Sequence, residues 1–193
     1  MTLFHDFTAS EWKLFFGNLL MLLTCLCYIV WWVLAFKPGG RGSSAVSTTC
    51  ITAAIVCGLL SIVLLFLGIN SYSENAPNKS IIYILAGAVV LYLVLLAVTK
   101  IAFHRVVTSE LLIMIVWMAV ELSVIAVLYP SGRFGLPLTL ILTILTGIAT
   151  CISIICYVRY YRLEGMASFR DGLIPLITDG VAVAVFLAAQ MFV

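Results

Sequence analysis

The chain has 193 residues, of which 64% are hydrophobic and 9% charged, and its formal net charge is +2. A soluble domain holds roughly 45–50% apolar and about 25% charged residues, so a mean hydropathy of +1.24 excludes a water-facing globule and points to lipid as the solvent. The near-neutral balance, with no run of Lys or Arg, argues against nucleic acid and against a polybasic membrane patch.

The N-terminal stretch "MTLFHDFTASEWK" carries Asp6 and Glu11 and lacks a basic region. The apolar run that follows is too long for the core of a secretory signal, so an uncleaved span is expected. Thr8 with Glu11 fits a capping box that opens this span.

A hydrocarbon core of about 30 Å takes roughly 20 helical residues. Six runs qualify, at about 13–36, 47–69, 80–103, 108–129, 136–160 and 172–192. Backbone polar groups find no water in lipid, so each run is expected to be a helix; the runs are continuous rather than alternating, which excludes a membrane barrel. The fold class is therefore an all-α membrane protein of six transmembrane helices in a single integral membrane domain. The breaks are "KPGGRGSS", "NSYSENAPNKS", "FHRVVTSE", "PSGRFG" and "RLEGMASFRDG", and none is long enough for a second domain.

The loops after the first, third and fifth spans, with the flanking helix ends, hold Lys37, Arg41, Lys100, Arg105, Arg159, Arg162 and Arg170. The opposite side holds Lys13, Lys79 and Arg133. The excess of positive charge on the first set makes that side cytoplasmic and both termini external, in what is expected to be a bacterial cytoplasmic membrane.

At an offset of 92, "NLLMLLTCLCYIVWWVLAFKPGGR" from Asn18 lies over "ELLIMIVWMAVELSVIAVLYPSGR" from Glu110 without a gap, Pro38 falling on Pro130 and Arg41 on Arg133. The same offset sets Ser61-Ile62 on Ser153-Ile154. The expectation is two three-helix repeats, about 13–103 and 108–192. An odd number of spans per half inserts the second half upside down, the arrangement of many secondary transporters, whose sites lie near the midplane between the repeats. Arg41 and Arg133 would then be turn residues at opposite mouths.

The halves differ where charge enters. Glu121 lies over Ile29, and Asp179 lies over Gly87. An ionised carboxylate at the bilayer centre costs about 2.5–3.5 kcal/mol on insertion scales, so each is expected to face the bundle interior. Glu121, roughly 20 Å into the fourth span, suits a proton-coupled step because desolvation disfavours the charged form; the alternative is a carboxyl bonded to a neighbouring hydroxyl as structural glue. Asp179 lies roughly 10 Å into the sixth span, which sets the two acids at different depths. Pro175 and Gly180 flank Asp179 and are expected to open the helix and free carbonyls for a cation; the alternative is an ion pair between Asp179 and Lys100. Thr24 and Tyr28 are further candidates for lining a path.

Stripes of small residues (Gly180, Ala184 and Ala188; Ala54 and Gly58; Gly147 and Cys151) are expected at close helix contacts, within the monomer or in a homodimer. The six cysteines lie inside apolar runs without ligand-type spacing and read as small buried hydrophobes rather than metal ligands or a disulfide. No phosphate loop, HExxH, GxSxG or dinucleotide fingerprint occurs, and His5 and His104 lie outside mid-membrane, so no cofactor is expected.

The functional expectation is a small-solute or ion transporter, possessing proton or cation coupling through Glu121 and Asp179. The alternatives are a non-transporting subunit that captures a substrate or scaffolds a partner, and an intramembrane enzyme using the two acids, an option weakened by their difference in depth.

Overall fold

The computed structural model describes residues 7–37, 44–73, 79–101, 104, 109–160 and 163–192. They form six helices: α1 (Ala9–Phe36), α2 (Ser44–Ser73), α3 (Lys79–Ile101), α4 (Ser109–Leu128), α5 (Leu136–Tyr160) and α6 (Gly165–Phe192). All six are long and apolar enough to cross a membrane. Large aliphatic and aromatic side chains stand exposed along every helix, among them Phe66, Ile82, Val90, Ile113, Ile144 and Val181. In water that surface would aggregate; in a bilayer it is solvated.

The sixth helix starts earlier than expected. Its first turns, "GMASFRDG", carry no apolar run but bury Phe169 and Asp171, and packing keeps them helical. At the other end of the chain, the capping box is present: the Thr8 hydroxyl accepts from the Glu11 N–H at 3.2 Å, and the Thr8 N–H donates to Glu11 Oε2 at 2.6 Å. The same carboxylate pairs with Arg133 at 3.4 Å, and Arg133 lies over the Phe7 ring. Phe7, Glu11, Arg133 and Gln190 line one small pocket, so both ends of the chain lie on one face. Glu11→Ala removes the cap and the ion pair together and is expected to lower stability by about 1–2 kcal/mol, measured by denaturant titration in detergent.

α1 and α2 form the tightest pair. A Cβ on Gly17 would fall 2.6 Å from Leu65 Cγ, and one on Gly68 would fall 2.6 Å from Leu14 Cδ2 and 2.8 Å from Leu14 Cγ. Each glycine is thus the socket for a leucine of the other helix, and Ser61 Oγ donates to the Gly17 carbonyl at 2.7 Å. The small-residue stripes named from the sequence contribute less. Ala54 is buried and Gly58 faces Thr24, but Ala184, Gly147 and Cys151 are exposed. In lipid a small residue has no reason to be at an interface unless a partner helix is there. All six cysteines are free, yet only Cys25 and Cys156 are buried.

α4 is the central helix, with neighbours α2, α3 and α5. α6 packs on α1 and α5, whereas α3 packs chiefly on α4 and is otherwise open to lipid. Equivalence of the halves maps α1·α2 onto α4·α5 and α1·α6 onto α4·α3, and these neighbours exist. It also maps α5·α6 onto α2·α3, which are not packed together. The Pro38–Arg41 turn lies outside the described residues.

Candidate site in the half-bundle cavity

A cavity of about 490 Å³ lies between α1, α2, α4, α5 and α6. Its wall on α1 runs from Met21 to Trp32, and on α6 from Asp179 to Asp171. It therefore occupies the half of the bundle facing away from the chain termini. The other half is solid: Leu14, Val124, Leu128, Phe134, Val183 and Phe186 are essentially fully buried there. The cavity is blind at the level of Met21 and Asp179.

Four of the residues singled out from the sequence line it: Thr24, Tyr28, Pro175 and Asp179. Helical periodicity explains the first two, since positions 21, 24, 25, 28 and 32 share one stripe of α1. Thr24 Oγ1 donates to its own helix at the Leu20 carbonyl, 2.9 Å. Asp179 is partly buried, and one of its oxygens accepts from Ser153 Oγ of α5 at 3.2 Å.

Glu121 is 1% exposed. It sits one turn beyond Trp117 on α4, at the ceiling of the cavity, and neither of its oxygens has a hydrogen-bond partner among the described residues. Glu121 and Asp179 are close enough for their charges to interact, and Cys25 lies within range of both. The difference in depth expected from the sequence is corrected by the longer sixth helix. With α6 starting at Gly165 and α4 at Ser109, Asp179 lies about 21 Å and Glu121 about 18 Å from the N-terminal ends of their helices.

Lys100 is not part of this group. It is exposed in the last turn of α3, a helix that does not pack on α6. Nor do Pro175 and Gly180 open α6, which stays helical from Gly165 to Phe192. The proline removes the N–H that would serve the Asp171 carbonyl, and the Thr178 hydroxyl bonds the Ile174 and Pro175 carbonyls at 3.1 and 2.9 Å. Gly180 serves contact instead: a Cβ there would meet Cys25 Cβ at 3.5 Å.

Several lining residues carried no sequence signal. Asp171, read as loop, is buried and pairs with Arg159 at 3.1 Å. The Trp32 indole donates to the Phe169 carbonyl at 3.2 Å, and its ring fills the place of a Gly172 side chain. Gly172→Ala would overlap that ring, and is expected to displace Trp32 into the cavity and blue- or red-shift its emission, with stability lowered by about 1–3 kcal/mol. Ser153, Trp117, Tyr157 and Tyr160 complete the polar and aromatic lining.

Among the described residues no three His, Cys, Asp or Glu side chains converge as a metal site. The chain matches no known family, no characterised protein and no solved structure.

Proposed function

We propose that this protein is a membrane transporter for a small solute or ion, with Asp179 receiving the cargo and Glu121 carrying a coupling proton or cation. One observation carries the reading: a cavity in one half of the bundle that reaches mid-membrane, ends at an acid, and meets close packing beyond it. A pore would run through, and an inert bundle would be filled. A bare carboxylate so deep in lipid costs several kcal/mol, so a cation or proton bound there is held strongly, and charge changes at Glu121 and Asp179 are felt by both.

Both acids lie in the second half of the chain, Glu121 on α4 and Asp179 on α6. In this reading the halves are inverted three-helix units that rock about the site. The ungapped offset of 92 and the matched neighbours of α1 and α4 support it. By the excess of Lys and Arg, the cavity faces the cytoplasm and both termini are outside a bacterial cytoplasmic membrane.

The test is uptake into proteoliposomes of the purified protein under an imposed proton or cation gradient. Accumulation that Glu121→Gln abolishes, with the variant still monodisperse, is the expected result. Activity that appears only with a co-purified protein would replace this reading with that of a capture or scaffold subunit, and a turnover product made without a gradient would replace it with an enzyme.

A further inference from the structure

The lining of the cavity narrows the cargo, on the premise that the cavity is the substrate site. Its walls are almost wholly apolar, and among the lining residues there is no Lys, Arg or His. Two aspartates line it. The charge of Asp171 is met by Arg159, whereas Asp179 borders the cavity and accepts from the Ser153 hydroxyl at 3.2 Å. The blind end therefore carries a carboxyl group with no Lys, Arg or His beside it among the described lining residues.

Five aromatic rings border the same space: Tyr28, Trp32, Trp117, Tyr157 and Tyr160. Aromatic faces attract a cation when water is excluded, by about 2 kcal/mol or more each. A small metal ion takes six or more oxygen ligands, more than this almost wholly apolar lining offers. An apolar molecule bearing one positive charge fits all of these features, and 490 Å³ lies in the range of sites for drug-sized ligands.

The entrance follows from which wall residues the bilayer also reaches. Ile55, Leu59 and Ile62 of α2 and Ile113 and Val116 of α4 line the cavity, yet are 37–63% exposed. α2 and α4 are neighbours, and Leu65, Trp117 and Val124 belong to one buried cluster that includes the ceiling. Below it the cavity separates them. α3 packs on α4 but not on α2, so it does not cover the gap.

We infer that the cavity binds an amphipathic organic cation that enters sideways from the bilayer between α2 and α4, with its charge at Asp179 and its apolar body among the aromatic rings. Lipid-dissolved cations concentrate in the membrane, so a lateral door meets them where they are.

The experiment is equilibrium binding of tetraphenylphosphonium to the full chain in lipid nanodiscs, with no gradient, beside tetraphenylborate, which has the same shape and the opposite charge. Saturable binding of the cation alone is expected, weakened about tenfold or more by Asp179→Asn. Leu59→Trp with Ile113→Trp, which narrows the gap, is expected to slow association and dissociation together while leaving Kd within about twofold, as a gate should. Equal binding of cation and anion, no saturable binding, or affinity unchanged in Asp179→Asn would overturn the inference, and unchanged rates in the double tryptophan variant would overturn the lateral door. Binding without gradient-driven uptake would sink the transport reading and leave the site standing. Uptake of another solute with no binding of the cation would do the reverse.

Discussion

Asp179→Asn is expected to abolish uptake, and Glu121→Gln is expected to abolish coupling, by different routes. Asp179 lines the cavity, so its neutral isostere loses the charge that meets the cargo. A hydrogen bond to a charged group contributes about 1.5–3 kcal/mol, or about 10–100-fold in affinity. The Ser153 hydroxyl keeps an acceptor in the amide oxygen, so the fold should be retained. Glu121 does not line the cavity and makes no hydrogen bond among the described residues. Its replacement by Gln should therefore leave cargo binding nearly unchanged and remove gradient-driven accumulation. Stability separates this from structural glue. A carboxyl that holds the bundle together would cost stability when replaced, whereas one without partners should cost little. The measurement is uptake and binding on the same preparations, with denaturant titration alongside.

Gly17→Val is expected to separate α1 from α2. The added Cβ alone would lie 2.6 Å from Leu65 Cγ and 3.2 Å from the Leu65 backbone nitrogen. The nearby backbone cannot retreat as the flexible end of a side chain could. Overpacking of a core costs about 1–3 kcal/mol, occasionally more, and here it also threatens the Ser61 bond to the Gly17 carbonyl. Gly68→Val should behave alike, since Leu14 fills its socket. Combining Gly17→Ala with Leu65→Ala should recover part of the loss relative to Gly17→Ala alone, because the two changes share one volume. Additive losses would show that the helices are not keyed at this point.

The number of helices was legible because lipid imposes length and apolarity on any span, whereas the early start of α6 at Gly165 was not. The capping box at Thr8 and Glu11 was legible too, being local chemistry. What hydropathy does not record is which helix stands in the middle. The α3 window averages 2.9 with 6% of it buried, whereas the α4 window averages 2.7 with 56% buried. Lipid tails and protein interior are equally apolar, so the pattern that marks a core in water is absent. The hint lay in Glu121, because a charge in a span must face inward. The acid near Pro175 pointed to the site for the same reason, and the α1 stripe of Thr24 and Tyr28 did so by its helical spacing. Lys100 misled because depth along the membrane says nothing about which helices are neighbours. Asp171 was invisible because its partner, Arg159, comes from another helix, and the pairing depends on the early start of α6.

Access to the blind end of the cavity tests the transport account most directly. Thr24→Cys, in a chain whose native cysteines are replaced by serine, places a thiol on the cavity wall. Labelling with a membrane-impermeant maleimide would be followed from each face of sealed vesicles, at rest and during gradient-driven turnover. The account predicts reaction from the cavity side at rest and from the opposite side as well during turnover. A thiol reached from one face alone under every gradient and cargo condition would contradict it, and would leave a site that binds without transporting.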